Sequence, residues 1–235
     1  MTISTMSYAE AACLALREAM KADPTVIALG EDLGRGGVFG QYRGLREEFG
    51  PDRIIDTPIS EANIMGSAVG MARAGIRPVV EMRVIDFALC AMDESVNQAA
   101  KNRYMFGGQG RVPLVARMPI GIWSASAAQH SQSLEAWFAH MPGLVVVAPA
   151  TPADNYGLLK SSMASGDPVI YMEHKELWGL QGEVDTAIEV PIGKGKKLAQ
   201  GNDLTIVTWS RGVGVCQQAL ADGAFGKLKG FVLTK

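Results

Sequence analysis

The chain has 235 residues and a mass of 25.0 kDa, with 22 Lys and Arg against 24 Asp and Glu, a formal net charge of -2. Hydrophobic residues are 48% and charged residues 20%, the balance of a folded globular protein and not of a disordered one. Near-neutral charge argues against a nucleic-acid binder, and no apolar run approaches the roughly 18 residues of a membrane span. Cys13, Cys90 and Cys216 form no CxxC pair or zinc spacing, and the N-terminus shows no secretory pattern. Reduced, mostly buried thiols in a cytoplasmic protein are expected.

Ser7-Tyr8-Ala9-Glu10 has the form of a capping box, and the Ala/Leu-rich run behind it predicts a helix to about Ala22. Val26–Leu29 is a short apolar strand ending in Gly30, and a glycine-rich loop follows from Gly34 to Gly40. Ile54-Ile55 is a strand, Glu61–Ala74 a helix, Arg77–Glu81 a strand and Phe87–Tyr104 a long helix. Pro113–Arg117 and Leu144–Ala148 read as strands around a helix at Ser133–His140. Thr151 caps a further helix, with Pro152 in its first turn and Asp154 near its positive end. Pro168–Glu173 closes the series as a strand. This order predicts an α/β fold: an open, mostly parallel sheet with helices on both faces. Periodicity fades from Leu177 to Gly201, as in a linker or short hairpin arm. Leu204–Trp209 and Val213–Ala221 then open a second βα unit, and the tail after Gly223 has room for at most one more strand.

Phosphate-loop signatures are missing. Gly34–Gly40 is glycine-rich after a strand but places Phe39 where G-x-G-x-x-G needs its last glycine, and no G-x-x-x-x-G-K-[ST] or G-x-S-x-G occurs. His130, His140 and His174 have no metal-type spacing. Two segments stand out. Asp56–Asn63 ends a strand at Pro58 and puts Glu61 at the start of a helix; a first-turn acid favoured by the helix dipole is its plainest reading. Ala128–Ser133 follows a loop of small residues and opens a helix with His130, which as an isolated residue is equally a capping or core histidine. Both lie in loops at strand ends, where ligands of open α/β sheets bind.

Several strings occur in order: Gly30-Glu31-Asp32, Ile54–Glu61, Asn97–Lys101, Ala128–Trp137, Pro142-Gly143-Leu144, and Asp167–Ile170 with Glu173-His174-Lys175. Together, over roughly residues 7–210, they resemble the β subunit of the thiamine-diphosphate-dependent 2-oxo acid dehydrogenases, the family of the pyruvate, branched-chain 2-oxo acid and acetoin enzymes. The resemblance implies a transketolase-like pyrimidine domain over residues 1–178, an arm over 179–202 and the start of a C-terminal domain over 203–235. It makes Glu61 the catalytic glutamate. A carboxyl on the pyrimidine ring nitrogen favours the tautomer that takes the thiazolium proton, so Glu61 must share a proton there. It places Phe87 against the pyrimidine ring, adds Glu31 and Ile59 to the cofactor-binding set, and makes His130 an active-site histidine for the substrate carboxylate or for protons. Leu114, Ser162, Ser165 and Asp167 match positions around a potassium ion, largely through backbone carbonyls.

Thiamine enzymes hold the diphosphate through Mg²⁺ on a Gly-Asp-Gly motif, and this chain has none; Gly166-Asp167-Pro168 is the nearest. The resemblance therefore implies half a site here, with an α subunit holding Mg²⁺ in an α₂β₂ assembly and a lipoyl acyltransferase core collecting the acyl group. The expected activity is oxidative decarboxylation of a 2-oxo acid, or cleavage of acetoin, with no membrane or nucleic-acid partner. The match fades after about Gly212, where the family continues through a whole domain. A non-catalytic, truncated assembly or binding domain is the alternative. A nucleotide-binding regulatory domain would rest only on the α/β pattern and the glycine loop.

Overall fold

The computed structural model describes residues 3–224 and 230–234. Strand β1 (Ile3–Ser7) leads into helix α1 (Tyr8–Ala22), and strands and helices then alternate. They are β2 (Val26–Gly30), α2 (Leu45–Phe49), β3 (Ile54–Asp56), α3 (Glu61–Arg73), β4 (Arg77–Glu81), α4 (Ala100–Met105), β5 (Val115–Arg117), α5 (Glu135–Ala139), β6 (Val145–Val147), α6 (Pro152–Ala164) and β7 (Val169–Tyr171). Strands β2 to β7 form one parallel sheet in the order β3-β2-β4-β5-β7-β6. Successive strand residues face opposite sides, so each strand feeds two cores. Ala28, Val79, Val115 and Val169 pack with Leu16 and Met20 of α1 and Leu159 of α6. Their neighbours Leu29, Val80, Ala116 and Ile170 pack with Ile64, Met65 and Ala68 of α3.

Local signals set the helix starts. Ser7 Oγ accepts from Glu10 N at 3.2 Å while Glu10 Oε2 accepts from Ser7 N at 2.8 Å, a reciprocal cap contributing about 1 kcal/mol. Thr151 and Asp154 repeat it at α6, with Pro152 at the first helical position.

Three regions differ from the sequence reading. The helix expected from Phe87 to Tyr104 opens as a tight 3₁₀ turn at Phe87–Ala91 and widens into a π turn at Glu94–Ala99 before α4. The Ser95 hydroxyl donates to the Ala91 carbonyl at 2.8 Å inside this stretch. The segment after Leu177 carries a strand, β8 (Gln181–Asp185), that pairs antiparallel with β1, itself absent from the reading. Cys90 is exposed, whereas Cys13 is buried and Cys216 half-buried. Beyond β8 a small sheet joins β9 (Lys196–Lys197), β10 (Leu204–Thr208) and β11 (Gly230–Thr234), with helix α7 (Arg211–Ala221) between the last two. Residues 225–229 and 235 of the tail lie outside the described residues. Among the described residues no helix is long and apolar enough to cross a membrane.

Gly30, Asp56 and Glu81 are register partners, so β2, β3 and β4 end level. Gly30 has φ +152°, and a Cβ there would lie 2.6 Å from the Glu81 carbonyl oxygen, so only glycine lets the two strand ends meet. Under this edge lies a buried polar cluster. Arg117 donates to Glu173 through Nε at 2.8 Å and Nη2 at 2.9 Å, both side chains fully buried. Its guanidinium carbon lies 5.0 Å from the Tyr42 ring centroid. Asn155 donates to Glu173 at 3.0 Å and accepts from the Tyr171 hydroxyl at 2.8 Å. Glu81 accepts from the Tyr42 hydroxyl at 2.8 Å and from Gln41 Nε2 at 3.2 Å, which pins the glycine-rich loop to the sheet.

Candidate active site

A cleft of about 530 Å³ opens across the carboxyl ends of the strands. Glu31 enters it after β2, Thr57, Pro58 and Ile59 after β3, Arg83 and Phe87 after β4, Trp123 and His130 after β5, and Lys175 after β7. This is where an open α/β sheet binds ligands. Four sequence-predicted residues, Glu31, Ile59, Phe87 and His130, thus converge on one cavity.

Glu61 stands at the first turn of α3, directly behind the Thr57–Ile59 rim, and is half-buried. Its negative charge reaches Glu31: burial first, and Glu61 second, push the Glu31 carboxyl above its ordinary value, against the pull of Arg83. Arg83 is tied to Asp32, a non-glycine residue with φ +58°. The Phe87 ring meets the His130 ring edge-on at 5.0 Å between centroids. Ile59 is 77% exposed, an apolar side chain at the rim with nothing over it. Phe39 of the glycine-rich loop stacks on Trp178 at 4.7 Å and meets Trp123 edge-on at 5.1 Å.

His130 sits in a loop held under strain. Ser124, Ala125 and Ala127 have φ of +45°, +56° and +68°, the left-handed side that L-residues avoid. The loop is closed by Gly121 N donating to Gln132 O at 2.9 Å, and Gln132 Nε2 donates to Asp86 Oδ1 at 2.7 Å. Gly121, at φ +79°, has no room for a Cβ, which would lie 2.1 Å from His174 Nε2. Lys175 Nζ donates to the His130 carbonyl. Three buried polar atoms at or beside the cleft have no partner: His130 Nδ1, Asp86 Oδ2 and Thr57 Oγ1. Orphaned polar atoms in a strained loop at a strand end mark a site built to meet something else.

Asp86, Trp123 and Lys175 were not singled out by sequence. Lys175 stands in one of the ordered strings, but nothing along the chain marks its burial. The cleft is acidic at one end, with Glu31 and Asp32 in its lining and Glu61 near enough to act on Glu31, and basic at the other, with His130 and Lys175. An aromatic heterocycle fits against Phe87 and Ile59, with carboxyls nearby that favour sharing a proton. A diphosphate does not fit from this chain alone, because Arg83 is already paired and three carboxyls stand beside it.

The remaining predicted positions meet at the turn between α6 and β7. The Leu114 carbonyl accepts from Val169 N at 2.9 Å, that of Ser162 from Ser165 N at 3.1 Å, and that of Ser165 from Arg77 Nη1 at 3.1 Å. The Asp167 carboxylate accepts from Arg103 at 2.7 Å. Each carbonyl keeps a second lone pair, the kind of oxygen a monovalent cation takes.

The fold is that of a transketolase-like α/β protein, with a candidate cleft at the strand ends, and it is the fold that the comparisons bear on. The comparisons agree. The family model for the transketolase pyrimidine-binding domain matches residues 4–181. The split-gene transketolase, solved as an inactive β4 tetramer, superposes with a TM-score of 0.78 at 22% identity, over 97% of this chain and 71% of that one. Identity is higher among curated relatives. The mitochondrial pyruvate dehydrogenase E1 component subunit beta-2 of Oryza sativa subsp. japonica is 44% identical over 220 residues, covering 91% of this chain and 58% of that protein. The acetoin:2,6-dichlorophenolindophenol oxidoreductase subunit beta of Cupriavidus necator is 45% identical over 207 residues, 83% and 61% of the two chains. The 2-oxoisovalerate dehydrogenase subunit beta of Bacillus subtilis is 44% identical over 220 residues, 92% and 67%. The chain belongs to this family of 2-oxo acid and acetoin dehydrogenase β subunits. It spans about 60% of the length of the first of these relatives.

Proposed function

We propose that this chain is the β-type half of a thiamine-diphosphate-dependent dehydrogenase that cleaves a 2-oxo acid, or acetoin, and passes the acyl group to lipoamide. The observation that carries the reading is the convergence of Glu31, Ile59, Phe87 and His130 on one cleft; Glu61 is not in its lining but starts α3 two residues after Ile59 and acts on the Glu31 carboxyl. In this reading residues 1–178 form the pyrimidine-binding domain, 179–202 the arm, and 203–235 the start of the C-terminal domain.

When bound, thiamine diphosphate supplies the carbanion chemistry that breaks the bond beside the substrate carbonyl. Phe87 and Ile59 bury the ring and exclude water. Glu61 holds a proton at its carboxyl oxygen against the ring nitrogen, and the raised Glu31 carboxyl beside it favours a shared proton over two full charges. His130, with Nδ1 buried and unpartnered, binds substrate or moves a proton on the opposite side. The diphosphate falls to an α subunit, since the acidic end of this cleft repels it, and Mg²⁺ goes with it, since the chain has no Gly-Asp-Gly motif and the described residues hold no cluster of metal-ligating side chains. An α₂β₂ tetramer and a lipoyl acyltransferase core complete the reading. A potassium ion at the α6–β7 turn would take the Leu114, Ser162 and Ser165 carbonyls with Asp167.

Co-expression with a cognate α subunit tests this. The expected result is a heterotetramer that reduces a dye with thiamine diphosphate, Mg²⁺ and one of pyruvate, 2-oxoisovalerate or acetoin. A complex that assembles and turns over none of them would overturn the enzyme reading in favour of a non-catalytic assembly domain.

A further inference from the structure

Lys175 carries a charge that no carboxylate of the described chain neutralises. Its main chain is clipped to the end of β5, with Lys175 N donating to the Ile120 carbonyl at 3.0 Å and a parallel bridge from Ile120 to His174. This turns the side chain under the loop that carries His130. The residue is only 3% exposed, yet it lines the cleft. An ammonium has three N–H donors, and among the described residues only the His130 carbonyl takes one. The nearest acid in electrostatic terms, Asp86, pulls the Lys175 pKa up, but it forms no ion pair and gives Oδ1 to Gln132. Burial is the larger effect and pushes the Lys175 pKa down. A desolvated ammonium with one neutral partner is costly, and an arriving anion relieves that cost.

The other cation of the cleft, Arg83, is held by Asp32. Glu31, Asp32 and Glu61 repel an anion from the opposite end. A carboxylate entering the cleft is therefore directed to His130 and Lys175.

We propose that Lys175 is a specificity-determining residue whose ammonium binds the carboxylate of a 2-oxo acid, setting this cleft for anionic 2-oxo acids over neutral hydroxyketones such as acetoin. The inference rests on the thiamine-dependent reading above and narrows its substrate class. It also divides the work in the basic end: with the carboxylate on Lys175, the His130 ring is left to move protons.

The test uses the complex with its α subunit, wild type against Lys175→Met and Lys175→Gln. Dye reduction is measured with pyruvate, 2-oxoisovalerate and acetoin, and binding of oxamate, an unreactive pyruvate isostere, is followed by tryptophan fluorescence, which Trp123 in the cleft wall reports. Wild type is expected to prefer the 2-oxo acids. Either variant is expected to raise the KM for them and weaken oxamate by about 10- to 100-fold, the range of a lost charge-assisted contact, with a clearly smaller loss on acetoin, which has no carboxylate to bind and loses only the Lys175 brace on the His130 carbonyl. Equal loss on acetoin and on the 2-oxo acids would reduce Lys175 to a support for the loop and overturn the proposal. So would a wild-type preference for acetoin, which needs no variant to fold and leaves the thiamine reading standing. Absence of thiamine-diphosphate-dependent turnover on all three substrates sinks that reading and takes the Lys175 inference with it.

Discussion

Two polar clusters lie along the carboxyl edge of the sheet and obey opposite rules. The lower one, around Arg117 and Glu173, is matched at every polar side-chain atom but one. Two hydrogen bonds join the pair, Asn155 and Tyr171 extend it, and the one Arg117 nitrogen without a hydrogen bond, Nη1, belongs to a guanidinium lying over the Tyr42 ring. The upper one, around His130, leaves His130 Nδ1 and Asp86 Oδ2 without partners and holds three non-glycine residues at positive φ. Buried polar groups are nearly always matched within a protein when their task is structural. In the function proposed above, the upper set is the one kept for a ligand, and the lower set is the platform that keeps it in place.

Substitutions that separate platform from site test this contrast. The largest effect is expected at Glu61. Glu61→Gln keeps the size and the helix start but cannot release a proton, so turnover of the assembled complex should fall by about 100- to 10,000-fold while the melting temperature of the chain stays put. A fall in stability of the same variant would move Glu61 into the platform. Arg117→Met should do the reverse. It leaves Glu173 buried with Asn155 as its remaining side-chain donor, which costs about 3–5 kcal/mol and lowers the melting temperature by about 10 °C. A variant that melts like wild type would mean the pair is not the anchor its geometry suggests.

The third effect depends on pH and belongs to Glu81, a member of the lower cluster bonded to Tyr42 and Gln41. Burial pushes its carboxyl up to about 7, with Arg117 drawing it down and Glu173 adding to the rise. The folded state then holds a proton that the unfolded chain releases near its ordinary carboxylate value. That contribution is complete below the unfolded pKa and is lost as pH climbs through about 7. The change over this window is at most about 3 kcal/mol. Glu81→Gln removes the titration, so thermal melts of the variant should gain on wild type between pH 5 and pH 8. A difference that stays constant over that range would show that Glu81 is ionised throughout.

What could be read along the chain was what is local. Both capping signatures, Ser7 with Glu10 and Thr151 with Pro152 and Asp154, are contained in four residues and mark helix starts where they stand. The apolar strands were legible because burial on both faces leaves unbroken hydrophobic runs. Strand β1 was not, because Ile3–Ser7 is short, largely polar and defined by β8 almost the whole chain away. Helical spacing at Phe87–Tyr104 concealed the π turn, since one extra residue per turn barely disturbs an apolar stripe. At the site, Glu61 and His130 stood out through their place in loops at strand ends, and their roles only through the ordered strings around them. Lys175 could not, because the role proposed for it depends on being covered by a loop 45 residues earlier in sequence.

The smallest expected effect is also the sharpest division between the two clusters. Ala127 has φ +68° and ψ 170°, a region essentially reserved for glycine, and it lies three residues before His130. Its carbonyl accepts from Ser131 Oγ at 2.8 Å and from His130 N at 3.2 Å, so the strained residue is also the brace for the histidine. Ala127→Gly removes the steric cost but adds freedom to the unfolded chain, and the balance should stabilise the protein by about 1 kcal/mol. The same freedom lets the loop leave its productive shape. With Lys175 still holding the His130 carbonyl, the loss in kcat should stay at about tenfold, with little change in thiamine diphosphate affinity. A more stable protein with slower turnover is what a loop strained for function predicts. If activity and stability rose together, the positive φ at Ala127 would be a defect of the fold and not a feature of the site.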